Sequence, residues 1–192
     1  MSDQRSELEE QQQADEAFGL DAFKREGDLG PDAFAKLHGT AFLLLQRGTG
    51  KTRLQRPDRP SRTLVSSPSD TRPTQELPPS RYLVFPVRKT ERSLIARFYA
   101  VGQTRNNDIV IRDVSVSKFH AFFEDDGKGG FLLQDARSTN GTFINGARVP
   151  PQGQGAPVPV KSGDQIRFGD VVLSFVDAEN FRELVRRVFK VG

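Results

Sequence analysis

The sequence predicts an all-β antiparallel sandwich with a helical extension on its N-terminal side and a helix at its C-terminal end. Three observations lead there. From Arg81 onward, short apolar runs recur, each closed off by Gly, Asn, Asp or Pro, with no helical stretch between them. Two Asn-Gly pairs, Asn140-Gly141 and Asn145-Gly146, mark tight turns, because both residue types tolerate positive φ. The last stretch, AENFRELVRRVF, changes period and sets Phe181, Leu184, Val185 and Val188 on one side of a helix.

Composition divides the chain into five parts. Residues 1–14 read as a disordered, acidic and glutamine-rich tail. Residues 15–47 read as a helical segment, since Phe34, Leu37, Phe42, Leu44 and Leu45 recur at roughly helical spacing. Pro31 and Asp32 suit its first turn, where a missing N–H costs nothing and an acid complements the helix dipole. Gly39 weakens a continuous helix there and leaves two short ones as the alternative. Residues 48–80 form a Ser/Thr/Pro-rich linker, with prolines at 57, 60, 68, 73, 78 and 79. Residues 81–176 carry the strands RYLVFPV, RFYAVG, DIVI, KFHAFFE, GFLLQD, GTFI, DQIRFG and VVLSFV, and residues 177–192 the final helix.

A chain of 192 residues accommodates one well-buried domain with extensions. There is no cysteine, which excludes disulfides and thiolate chemistry. His38 and His120 sit in unrelated contexts, so no metal site and no cofactor is expected. The polar, acidic start lacks the regions of a signal peptide, and the apolar run Ala41 to Leu45 is too short to span a bilayer. The expected setting is soluble and cytoplasmic, with no membrane partner.

The net charge of +3 hides a gradient: residues 1–30 carry nine acids and three bases, residues 81–192 seventeen bases and twelve acids. A mildly basic domain suits an anionic partner without identifying one. The basic linker lacks interleaved aromatics and no recognition helix follows, so nucleic acid is not expected. GTGKT at residues 48–52 is similar to a P-loop, but Leu45 stands where the first glycine is needed and a proline-rich stretch follows in place of a helix. No nucleophile with its base, paired catalytic acids or metal ligands emerge, so an enzyme is not expected. Asp125-Asp126 beside Gly127 reads as a hairpin tip.

The informative constellation comprises VGQTRNNDIVI, VSKFHAFF, DARSTNGTFINGARV and SGDQIRFGD, in that order between residues 101 and 170. Together these resemble the forkhead-associated (FHA) family, whose pattern runs Gly-Arg, Ser-x-x-His, Asn-Gly-Thr and a second Asn-Gly. The resemblance covers about residues 80–176. It implies an antiparallel sandwich of about eleven strands that reads phosphothreonine through loops at one end. The implied function is a signalling adaptor that binds a phosphothreonine-containing protein, such as a Ser/Thr kinase or its substrate.

Residue by residue, the resemblance assigns Ser117 as a hydroxyl donor to phosphate and Lys118 as a contact to peptide or phosphate. Thr139 also reaches phosphate, and Asn140 bonds the peptide backbone. Taken without the resemblance, Ser117 and Asn140 are ordinary turn residues and Lys118 a solvated lysine. His120 supports the loops, and Gly102, Gly141, Thr142, Asn145 and Gly146 fix the turns that set them. The phosphothreonine dianion carries about −1.5 to −2 charges and three acceptor oxygens, which loop-held donors suit.

One departure stands out: the family arginine is Gln103 here. Arg105 is the candidate replacement, since residues two apart in an extended segment share a face about 7 Å apart. The vacancy also motivates an alternative, a phosphate-independent interaction or assembly domain on the same fold. In the linker, Thr74 is the candidate phosphosite, followed three residues later by Leu77, which opens self-docking of the linker.

Overall fold

The computed structural model describes residues 17–46, 78–93 and 95–189. The acidic tail 1–14, the linker as far as residue 77 with its GTGKT and Thr74, and the last three residues lie outside the described residues.

All eight sequence-predicted strand runs are present, and four more strands join them. The first group is β3 (Tyr82–Pro86), β4 (Tyr99–Gly102), β5 (Ile109–Val110), β6 (Ala121–Asp125), β7 (Phe131–Asp135), β8 (Thr142–Ile144), β11 (Gln165–Phe168) and β12 (Val171–Asp177). The additional strands are β1 (Phe18–Gly19), β2 (Ala41–Gln46), β9 (Ala147–Arg148) and β10 (Val158–Val160). They form a seven-stranded sheet, β1-β3-β2-β12-β11-β8-β9, facing a five-stranded sheet, β10-β7-β6-β4-β5. Every pairing between these strands is antiparallel except β4 with β5. The fold is a two-sheet, mostly antiparallel β-sandwich with helical extensions.

β2 corrects the helical reading of residues 41–46. Its run AFLLLQ is apolar at nearly every position because the strand is covered on both faces. Ala41 and Leu43 point into the core between the sheets, alongside Phe85, Phe123, Phe131, Ile166, Phe168 and Phe175. Phe42 and Leu44 point the other way, into a second core with Leu20, Phe23, Phe34, Phe181 and Val185. Such a run fits a buried strand or a buried helix equally well by periodicity alone. The strand lies between β12 and β3, so the sandwich extends well N-terminal of residue 81.

The outer core is built by a 3-10 turn at Leu20–Phe23, α1 (Pro31–His38) and α2 (Ala178–Phe189). Pro31 begins α1 with Asp32 in its first turn, and Gly39 at φ +102° ends it. Phe34 is fully buried, whereas Leu37 is 56% exposed and does not belong to the apolar face. The α2 helix starts where the Asn180 N–H donates to Asp177 Oδ1 at 2.8 Å, a side-chain cap. It buries Phe181, stacked on Phe42 with ring centroids 4.2 Å apart, and Val185. No helix of the described residues is long and apolar enough to cross a membrane.

The two Asn-Gly pairs behave differently. Asn145 and Gly146 have φ of +51° and +84° and close the β8–β9 hairpin in two residues. At Asn140-Gly141 only the glycine takes positive φ, because this segment crosses from one sheet to the other. Asp125 and Asp126 cap the β6–β7 hairpin, accepting N–H donors from Gly127, Lys128 and Gly130. The bonds from Lys128 and then Gly130 hold the Asp126 carboxyl below its ordinary range.

Candidate functional site

Three loops and one turn converge at one end of the sandwich. They are residues 103–108 after β4, 112–120 before β6, 136–141 between β7 and β8, and the 169–170 turn between β11 and β12. Backbone and side-chain bonds join them. The Ser115 hydroxyl accepts the Asp170 N–H at 2.9 Å, and the Gly141 carbonyl accepts the Gly169 N–H at 3.2 Å.

His120 lies beneath, fully buried and edge-on to Phe168. Its Nδ1 faces the Ser117 N–H at 2.9 Å and its Nε2 faces the Gly141 carbonyl at 3.2 Å. The first neighbour donates and the second accepts, so the proton sits on Nε2 and the ring is neutral. Burial lowers its pKa, opposed by the Gly141 hydrogen bond and then by the Asp135 charge. One side chain thereby ties the Ser117 loop to the Asn140 loop.

Above it, Ser117 and Thr139 meet. The Thr139 N–H donates to Ser117 Oγ at 3.1 Å, and the two hydroxyl oxygens lie 3.5 Å apart. Ser117 is half-buried and Thr139 exposed. Lys118 follows with an exposed side chain. The Asn140 Nδ2 donates to the Ser115 carbonyl at 2.8 Å, which orients its Oδ1 as an acceptor for a ligand N–H. Ser117, Lys118, Thr139 and Asn140 are thus brought together.

Gln103 and Arg105 are placed differently. The Gln103 Nε2 donates to the Asp113 carbonyl at 3.0 Å, and its backbone N–H donates to the Ser117 carbonyl at 3.0 Å. Gln103 therefore fastens two loops to each other. Residues 104–107 form a turn, closed by the Asn107 N–H on the Thr104 carbonyl at 3.2 Å, and not the extended segment that placed Arg105 beside residue 103. Arg105 sits exposed on that turn with interactions of its own.

Gly102 is required by close approach. A Cβ there would stand 2.2 Å from the Lys118 carbonyl oxygen and 2.8 Å from Asn107 Nδ2. Thr142 is fully buried and donates its hydroxyl to Asp135 Oδ2 at 2.7 Å.

Sequence reading missed the polar frame that holds these loops. Asp135, 1% exposed, also accepts the Ser138 N–H and hydroxyl at 3.0 and 2.6 Å. Buried Asn107 donates to the Thr104 and Lys118 carbonyls at 2.7 and 2.8 Å. Asp108, whose side chain is fully buried, pairs with Lys89 at 2.7 Å and accepts the Thr90 and Ala100 N–H groups. Arg137, at φ +62°, is one of two non-glycine residues in the left-handed region among the described residues. Asp135 with Ser138 three residues on, and Asn107 three residues after Thr104, were the available signal, since Asp and Asn side chains at turns bond the nearby backbone. Among the described residues no group of three His, Cys, Asp or Glu side chains is placed to hold a metal ion.

Residues 99–169, from β4 to the β11–β12 turn, match the FHA domain family. The chain is 39% identical over 77 residues to an ABC transporter ATP-binding/permease protein of Mycobacterium tuberculosis, covering 40% of this chain and 8% of that one. It is 35% identical over 80 residues to the human angiogenic factor with G patch and FHA domains 1, covering 39% and 11%. The chain therefore spans only about a tenth of the length of these curated relatives. Among solved structures, the FHA domain of the CT664 protein from Chlamydia trachomatis is 17% identical with a TM-score of 0.44, over 72% of this chain and 98% of that one.

Proposed function

We propose that this chain, whose residues 99–169 are an FHA domain by family match, is a phosphothreonine-dependent protein-binding module without catalytic activity. The observation that carries the reading is the meeting of the Ser117 and Thr139 hydroxyls at the loop end, with Lys118 beside them. Two hydroxyl donors and an ammonium suit the three acceptor oxygens and the dianionic charge of a phosphate ester. Asn140 Oδ1 then accepts a backbone N–H of the bound segment, which fixes its direction. A frame anchored by His120, Asp135 and Asn107 means that little ordering is needed on binding, so more of the contact energy appears as affinity.

The partner under this reading is a phosphorylated protein segment. The chain's own Thr74 is one candidate source. What supports that is register: Gln46 pairs with Tyr82, and β2 runs antiparallel to β12 with Leu44 opposite Ser174. Both attachment points of the intervening stretch therefore lie toward the end of the sheet where the β11–β12 turn meets the reading loops.

The test is a peptide library with fixed phosphothreonine, screened against the full chain beside its unphosphorylated counterpart. Retention only of phosphorylated members supports the reading. Equal retention of both sets favours a phosphate-independent assembly role.

A further inference from the structure

Resting on that reading, we infer that Arg137 is a positioning residue: its guanidinium clamps the 136–141 loop to the 150–155 segment and thereby sets where Thr139 stands. The first observation is backbone strain. Arg137 has φ +62°, in the left-handed region. The other non-glycine residue there among those described is Asn145, a residue type that tolerates this conformation in a hairpin turn. An arginine has no such local compensation, because its Cβ crowds the following carbonyl oxygen.

Asp135 imposes that conformation. Its carboxylate accepts the Ser138 N–H and hydroxyl at 3.0 and 2.6 Å, so the chain must reverse within residues 136 and 137. Glycine or asparagine would fit the reversal without strain. A strained residue in a binding loop points to a use for its side chain. The Arg137 Nε donates to the Gln152 carbonyl at 3.1 Å. Its Nη2 lies 3.1 Å from where a Cβ on Gly153 would stand, so the guanidinium rests over a position that has no side chain.

The 150–155 segment is a firm support for such a clamp. β9 runs antiparallel to β8 and brings the chain back toward the reading loops, where it lies beside the last residue of β7. The Gln152 N–H donates to the Asp135 carbonyl at 2.8 Å, Pro151 bridges Asp135, and the Gln134 Nε2 donates to the Pro150 carbonyl. The 136–141 loop leaves the sheet from that same Asp135, and Arg137 ties it sideways to the anchored segment. Two residues further on, the Thr139 N–H donates to Ser117 Oγ at 3.1 Å. Two planar peptide units separate Arg137 from Thr139, so a shift at residue 137 is passed on to that bond. The clamp thus holds the two hydroxyls in place before a ligand arrives, which leaves less ordering to be done on binding.

The test compares Arg137→Asn with Gly153→Ala in the full chain. Asparagine keeps the left-handed backbone and removes the clamp. Alanine at 153 keeps the Arg137 charge and displaces its guanidinium. In the free protein, nitrogen-15 relaxation should show residues 138–141 and 152–154 loosening together in Arg137→Asn, while the amides of β6 and β7 stay rigid. The melting temperature of Arg137→Asn should change little, because relief of strain offsets the lost bond. Affinity for a phosphothreonine peptide should fall about three- to tenfold in each variant. The double variant should bind no more weakly than the weaker single one. Unaltered relaxation at residues 138–141 in Arg137→Asn overturns the inference. Unchanged affinity in Gly153→Ala also overturns it, since any effect of Arg137 is then one of charge alone. If the wild type binds no phosphopeptide, the phosphothreonine reading fails, and the relaxation of the free protein still decides whether Arg137 positions Thr139.

Discussion

Ser117 and Thr139, separated by 22 residues in sequence, are joined at the mouth of the sandwich by a 3.1 Å bond from the Thr139 N–H to the Ser117 hydroxyl oxygen. The bond engages a lone pair of Ser117, whose own O–H points toward the Thr139 hydroxyl oxygen 3.5 Å away. Replacing Ser117 or Thr139 with Ala should each weaken phosphopeptide binding by about 1–3 kcal/mol. Thr139 is exposed and Ser117 half-buried at the loop end, outside both cores, so the melting temperature should move little. Titration calorimetry paired with thermal unfolding reads both quantities.

Under the proposed phosphothreonine reading, Gln103 offers a neutral donor where a charged one would serve a phosphate better. Its Nε2 is spent on the Asp113 carbonyl. An arginine at this position has five N–H donors in a planar fork, enough to keep that bond and add a charge. Gln103→Arg should tighten phosphopeptide binding by about two- to thirtyfold, the gap between a neutral and a charge-assisted hydrogen bond. Unchanged affinity would mean that residue 103 does not face the phosphate.

Gly102 is a steric requirement, and its replacement should separate the loops. A methyl group there would overlap the Lys118 carbonyl oxygen at 2.2 Å. Gly102→Ala should destabilise the protein by about 1–3 kcal/mol and weaken peptide binding, because the 117–119 segment must move. Denaturant unfolding and titration of the same variant measure the two effects.

Acid should loosen the site through His120. Burial holds its pKa below the ordinary imidazole value, so the unfolded chain takes up the proton first as pH falls. The stability from the neutral ring is complete above about pH 6.5 and declines as pH falls through the lowered folded value. The slope reaches at most about 1.4 kcal/mol per pH unit for this group. His38 is shifted the same way by burial and adds to it. A proton on Nδ1 of His120 would also confront the Ser117 N–H, donor against donor. Stability measured from pH 8 to pH 5 should fall, and His120→Gln should flatten part of the profile while lowering its plateau.

The N-terminal segment is part of the sandwich, so residues 78–192 alone should not fold stably. Removing β2 exposes edges of both β12 and β3 in the middle of the sheet and empties parts of both cores. Circular dichroism and hydrogen exchange on that fragment should show loss of protected amides, in contrast to the full chain.

Most of the sandwich was legible because its strands alternate or end at clear turn residues, as in KFHAFFE and GFLLQD. Those that were missed have physical reasons. β2 has no alternation, since Leu43 and Phe42 enter different cores. β10 carries Pro159, which removes a donor and fits a strand paired on one side only, with β7. β1 and β9 have two residues each, too few for any periodicity. At the loop end, Ser117, Thr139 and Asn140 were legible as polar loop residues. Asp135, Asn107 and Asp108 were not, because their role depends on partners distant in space that turn chemistry alone does not reveal.

The most direct measurement is amide chemical-shift mapping of the full chain during titration with a phosphothreonine peptide and with its unphosphorylated twin. The phosphopeptide should move the Ser117, Thr139 and Asn140 amides and leave the β6–β7 hairpin at Asp125–Gly130, at the opposite end, unchanged. The unphosphorylated twin should move none of them. Equal shifts with both peptides, or shifts confined to other surfaces, would contradict phosphothreonine reading by this loop end.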